Sequence, residues 1–199
     1  NTSLLGAGVD FRPFVVQEGS TYRLLPIQNS NIRSEMVNTD VMYDNMMNKF
    51  FFRQMNNPGV NYSEDYRNFA LNHRSSFNSL AEALINENRK EDAKKVLLKN
   101  LELMPDAAIP YDYTTAQTVT LLFDVGENEK AMQLAKELSA RSDEFLTFYL
   151  DNNLSPGNEI QKNLVVMNEM IRIFKGNGED SLASKLEKKF LNYYNKVNK

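Results

Sequence analysis

Cysteine is absent from the 199 residues, which excludes disulfides, thiolate zinc sites and cysteine nucleophiles and leaves the redox compartment open. Histidine occurs once, at His73, with Ser76 and Phe77 where a helical metal pair would need its second ligand. Zinc hydrolysis and a Ser-His-Asp mechanism therefore lose their basis, and a polar histidine on the rim of a helix is the expectation. Phosphate loops are missing as well. Gly6-Ala7-Gly8 and Gly176-Asn177-Gly178 lack both the strand-to-helix setting and the Lys-Ser/Thr ending. The longest apolar run is four residues, 164–167, far short of the roughly 20 that cross a bilayer, so direct membrane insertion of this segment is not expected. The chain opens at Asn1 without a Met or a signal-like segment, which points to a processed chain or an excised piece of something larger.

A large excess of either sign of charge is also missing. Lys plus Arg number 23 against 26 for Asp plus Glu, a formal net charge of −3, so no nucleic-acid partner is expected, because such binding is driven by clustered positive charge. What is present is ordinary globular material. Hydrophobic residues make up 42% and charged residues 25%, enough for a real core in one or two domains.

Residues 1–62 carry β-prone and turn signals. Phe14-Val15-Val16 and Tyr22-Arg23-Leu24-Leu25 flank Gln17-Glu18-Gly19-Ser20, a hairpin pattern bracketed by Pro13 and Pro26. A two-stranded hairpin is marginal alone and should lie against the helices that follow or against a neighbour. Polar residues 28–37 read as a loop, and Asn38-Thr39-Asp40 can cap a helix over about 40 to 55. Tyr43, Met46, Met47, Phe50 and Phe51 form a broad apolar stripe along it, which should be buried as core; Tyr43, Met46, Phe50 and Phe51 are the candidates for a docking face if it is not.

The stretch 74–107 fits one 34-residue helix-turn-helix repeat. Counting from Arg74, Phe77 takes the aromatic site, Leu80 and Ala81 the leucine/small pair, and Leu84 the second large site. Asn88 takes the turn, Ala93 the small site, Leu97 its bulky partner and Pro105 the terminator. Small residues at Ala81 and Ala93 let two antiparallel helices approach closely while the larger ones fill the seam. A second pair has Gly126 at its turn and Ala131 in the small slot, with about four extra residues placed in the 105–110 connection. Its first helix, 113–125, contains Thr114, Thr115, Thr118, Val119 and Thr120, poor helix formers that taken alone could make a strand. Its second helix is expected to reach Phe145, Phe148 and Tyr149, with a break near Ser142. A third hairpin turns at Gly176-Asn177-Gly178. These residues resemble a tetratricopeptide repeat, and the fold class expected is mainly α: a tetratricopeptide-like stack of helical hairpins over 63–199, with an N-terminal β-hairpin plus helix over 1–62 packed on it.

Such a fold brings no catalytic site with it. The acidic pairs Glu64-Asp65, Glu91-Asp92, Asp143-Glu144 and Glu179-Asp180 read as first-turn residues, where the helix dipole favours negative charge. Asp180-Ser181-Leu182 also matches a short acceptor pattern for bacterial O-glycosylation. In repeats of this kind the first helix of each pair lines a groove, and the positions concerned are Asn78, Glu82 and Ile85, then Tyr113, Thr120 and Phe123. The peptide-carboxylate clamp of the family needs Lys, Arg and Asn there; Glu82 and Thr120 stand instead, which leaves an uncharged or apolar partner. No metal and no cofactor are expected.

A second likeness lies in the first half. Tyr22-Arg23-Leu24-Leu25-Pro26-Ile27 and the run from Val37 through Asn38-Thr39-Asp40-Val41-Met42-Tyr43-Asp44-Asn45-Met46-Met47-Asn48-Lys49 to Phe50, then the 80–85 helix and Met104-Pro105-Asp106, resemble the C-terminal soluble region of large bacterial membrane proteins. The membrane half of those proteins is similar to protein O-mannosyltransferases. The resemblance implies a water-exposed piece of a polytopic glycosyltransferase-like protein on the periplasmic face of the inner membrane. Catalytic acids of such transferases sit between membrane helices, so none is carried over and this fragment is expected not to be an enzyme. The function expected is an accessory or interaction domain that docks a protein partner or its own membrane half. The alternative is a carbohydrate-binding module that stacks glycan or lipid-linked sugar on Tyr22, Tyr62, Tyr111 or Tyr113, and a free-standing enzyme is third.

Overall fold

A computed structural model describes residues 11–28 and 37–197. The fold is mainly helical, 68% helix, and the chain divides into two compact units, Asn1–Ile109 and Pro110–Lys199.

The described part of the first unit opens with a 3-10 turn, Arg12–Phe14, and an antiparallel hairpin of β1 (Val15–Gln17) and β2 (Tyr22–Leu24). Val15 pairs with Leu24, Val16 with Arg23 and Gln17 with Tyr22. Val16 and Gln17 are buried and all three β2 residues are exposed, so the hairpin presents one strand inward and one outward. α1 (Thr39–Asp44) starts where the capping residues place it: Asn38 Oδ1 accepts from the Val41 N–H at 3.4 Å. α1 is tethered to the turn of the next hairpin through Thr39 Oγ1, which donates to Glu87 Oε1 at 2.9 Å, and through Arg89 to Asp40 at 2.7 Å.

The helix expected over 40 to 55 stops early. Beyond Asp44 the chain widens into a π turn, Asn45–Lys49, closed by the Phe50 N–H on the Asn45 carbonyl at 2.8 Å, and Phe50 is extended. The stripe is therefore split, with Met42 and Met46 fully buried and Phe51 outside. The π turn changes the helical period and ends the helix at Lys49, so the residues that follow no longer continue the stripe.

α2 (Glu64–Asn86) and α3 (Lys90–Leu103) form the hairpin that the repeat pattern predicts. Phe77, Leu80, Ala81, Leu84, Ala93 and Leu97 are all wholly buried. Arg74, the first residue of the repeat, is wholly buried too; its Nη2 donates to the carbonyls of Met104 and Ile109, both at 3.1 Å. The guanidinium thus satisfies backbone acceptors where α3 ends, which a helix terminus leaves unpaired.

The second unit holds α4 (Tyr113–Asp124), α5 (Asn128–Asp151), α6 (Glu159–Gly176) and α7 (Asp180–Val197). α4 and α5 form one hairpin, α6 and α7 the next, and α6 packs on both α4 and α5. The threonine-rich segment is a helix because its hydroxyls have work to do. Asp112 Oδ1 accepts from the Thr114 N–H at 3.0 Å while Thr115 Oγ1 accepts from the Asp112 N–H at 3.3 Å, a capping box. Thr114, Thr115 and Thr118 are buried with Val119 and Leu122. No break occurs near Ser142: α5 is continuous, Ser142 is buried, and Asp143 lies inside the helix rather than in a first turn. There Asp143 Oδ1 accepts from Tyr193 Oη at 2.7 Å and Oδ2 from Lys189 Nζ at 2.6 Å, tying α5 to α7.

The three hairpins share one turn. Asn88, Gly126 and Gly178 have φ of 61°, 83° and 75°. In each, the next N–H reaches back five residues, from Arg89 to Leu84, Glu127 to Leu122 and Glu179 to Phe174, all at 2.8 to 2.9 Å. This is the Schellman closure. An alanine follows five residues after each turn residue, Ala93, Ala131 and Ala183, and all are buried. No helix among the described residues is long and apolar enough to cross a membrane.

Candidate docking site

The hairpin turn, the π turn and the middle of α2 meet in the first unit, and the polar groups at their junction hold the hairpin down. Gln17 Nε2 donates to the Gly19 carbonyl at 2.9 Å and to Ser76 Oγ at 3.2 Å. Asn45 Nδ2 donates to the Glu18 carbonyl at 2.7 Å, and the Asn38 N–H donates to the Gln17 carbonyl at 2.9 Å. Gly19 is buried beneath the Phe50 ring, where a Cβ would lie 2.7 Å from Phe50 Cζ. Its backbone does not occupy the left-handed region, so close approach is what glycine supplies here.

Beyond the turn, Ser20 Oγ and His73 Nδ1 are 2.7 Å apart. The edge of Phe52 meets the imidazole at 5.6 Å between ring centres and a right-angle tilt of 89°, and Phe52 also contacts Phe50 and Phe77. The histidine is therefore half-buried under the hairpin, not placed on a bare helix rim. Burial holds its pKa below the ordinary imidazole value, so it is neutral at pH 7. Among the described residues no carboxylate bonds to its ring, so the Ser20–His73 pair lacks the orienting acid of a nucleophile and base pair.

Ser20, Lys49, Phe50, Phe51, Phe52, Arg53, Met55 and His73 line an open cleft of about 610 Å³. Its walls are aromatic and its rim basic, with Lys49 paired to Asp44 at 2.5 Å. Phe51 is 86% exposed and Phe50 41%. The two rings adjoin on one cleft, and contiguous apolar surface is what interaction sites present.

The residues named from the sequence fall in different places. Phe50 and Phe51 line the cleft, Tyr43 is half-buried and Met46 is core. Asn78 is wholly buried, with its Oδ1 accepting from Asn100 Nδ2 at 3.4 Å across the α2–α3 seam, so neither Met46 nor Asn78 can meet a ligand. Glu82 is exposed and Ile85 half-buried. In the second unit Tyr113 is 46% exposed, Thr120 is half-buried with its hydroxyl turned to the Ala116 carbonyl, and Phe123 lines a shallow cleft of about 550 Å³ with Met132, Lys136 and Asn177. Ser20, Phe52, Arg53, Met55 and His73 escaped the sequence reading as site residues. Only the run Phe50-Phe51-Phe52 signalled them, because three consecutive aromatics cannot all face one side of a helix.

No family model matches the chain, and neither a curated protein nor a solved structure matches it significantly.

Proposed function

We propose that this chain is a non-catalytic interaction domain of a membrane glycosyltransferase-like protein, facing the periplasm, and that it docks a protein partner or its own membrane half. The observation that carries the docking role is the exposure of the adjoining Phe51 and Phe50 rings at the end of the π turn. The π turn holds the Phe50 backbone through its N–H on the Asn45 carbonyl, and the Phe50 ring rests on Gly19 beside the Ser20–His73 pair. Removing such rings from water supplies affinity, and a fixed support avoids the entropic cost of ordering them on binding. The membrane association is supported by the likeness of 22–27 and 37–50 to the soluble regions described above.

Carbohydrate recognition has less behind it. Tyr62 and Tyr111 are half-buried, and the Lys162 ammonium sits 5.2 Å from the centre of the Tyr113 ring, on the face a sugar would stack against.

A photo-crosslinking phenylalanine analogue at position 51, in the protein expressed in its own membranes, tests the reading. The expected result is one defined adduct, to another protein or within the same polypeptide, that Phe148 replaced in the same way does not form. Phe148 is a suitable control at 57% exposure outside the cleft. Identical adduct patterns at the two positions would remove the proposal.

A further inference from the structure

The hairpin is tied down on its β1 side at Gln17 and, among the described residues, open along β2. Residues pair across it in register, and the N–H groups of Leu25 and Glu18 donate to the carbonyls of Phe14 and Thr21 at 2.6 and 3.5 Å. In an antiparallel ladder bonded and unbonded pairs alternate, so Val16 and Arg23 are the bonded pair between these two. The main-chain groups of Gln17, Tyr22 and Leu24 must then point away from the hairpin. On the β1 side that outward position is used: the Gln17 carbonyl accepts from Asn38 and the residue bridges to Val37. On the β2 side, among the described residues, nothing bonds to the outward N–H and C=O groups of Tyr22 and Leu24. Their side chains are 44% and 62% exposed, and Ile27 just beyond is 71% exposed.

We propose that β2 is the receiving edge for an extended segment of another polypeptide, which adds as a third strand and carries an acidic residue between two apolar ones. The main chain is specified by the unpaired groups, because an extended backbone is the partner that presents donors and acceptors at this repeat. The side chains follow from the pleat. Residues opposite Tyr22 and Leu24 share their apolar face, whereas the residue between them lies opposite Arg23, whose side chain is 65% exposed and held by Glu18 at 3.2 Å. A second copy of this chain fits badly. The antiparallel register that satisfies Tyr22 and Leu24 on both copies sets Arg23 directly against Arg23, and like charges so placed repel. The inference rests on the docking role above and gives its partner a chemistry.

The test uses the 199-residue chain and blocked eight-residue peptides that alternate valine with glutamate or valine with lysine. The amide resonances of Tyr22 and Leu24 should shift and gain protection from hydrogen exchange with the glutamate peptide, with the lysine peptide binding roughly fivefold more weakly. N-methylation of one peptide edge should abolish the effect. Leu24→Pro removes an N–H that the hairpin does not use, so it should eliminate binding while the β1–β2 amides stay protected. Arg23→Glu, which does not touch the ladder, should reverse the peptide preference. Binding that survives both N-methylation and Leu24→Pro would overturn the proposal, as would no protection at Tyr22 and Leu24 with any peptide. Shifts that depend on protein concentration without peptide would overturn it in favour of self-pairing. If position 51 of the natural chain forms its specific adduct while no peptide binds that chain, the edge strand fails and the docking role stands. If position 51 forms no specific adduct, that role fails whatever the peptides do.

Discussion

The Phe50 ring covers Gly19 at a distance that leaves no room for a methyl group, 2.7 Å from Cζ and 2.8 Å from Cε2 to a built Cβ. The glycine thus sets where the docking face begins. Gly19→Ala should cost about 1 kcal/mol, because the obstructing atoms belong to a half-exposed ring that can swing away. Most of that cost should vanish in a Phe50→Ala background. Urea unfolding of the two single variants and the double variant measures the coupling, and strict additivity would show that the contact carries no strain.

Arg74 makes a different kind of contact, a buried cation on two carbonyls at the end of α3. Arg74→Met keeps much of the volume and removes the donors, leaving the Met104 and Ile109 carbonyls short of a partner. A loss of about 3 kcal/mol is expected in chemical denaturation. A loss under 1 kcal/mol would mean that the 104–109 turn holds itself.

The neutral state of His73 gives stability a pH dependence. Its folded pKa is lowered by burial, so the unfolded chain binds this proton more readily. The associated stability is present above the unfolded value of about 6.5 and is lost as pH falls through that value toward the folded one. Unfolding free energies measured from pH 7.5 to 5 should fall more steeply for the natural chain than for His73→Gln; parallel curves would assign the slope elsewhere.

The shared hairpin turns predict opposite signs for similar substitutions. Gly126→Ala and Gly178→Ala have open space around the new methyl group but a positive φ, and should each cost about 1 kcal/mol. Asn88→Gly removes that strain at the corresponding position and should be neutral or slightly stabilising. Thermal unfolding of the three variants decides it.

Much of this was readable from residue spacing. Phe77, Leu80, Ala81, Leu84, Ala93 and Leu97 recur at helical intervals around Asn88, and the hairpin they predict is present with all six buried. The β-hairpin and the cap at Asn38 were legible for the same reason: each depends on residues adjacent in the chain. The candidate site was legible only as a run of phenylalanines. The apolar stripe from Tyr43 to Phe51 looks continuous in sequence, and the π turn that splits it is signalled by no residue in the run.

What the amino-acid order determined by itself was therefore local: the helical periods, the left-handed turns and the small residues that admit a neighbouring helix. What tertiary structure decided was which side of each period stays dry. Asn45 reaching the Glu18 carbonyl, Gln17 reaching Ser76 and Ser20 meeting His73 each join segments separated by 27 to 59 residues. Hydrogen bonds at such separations depend on packing rather than on spacing, and they leave Met46 in the core and Phe51 in the open.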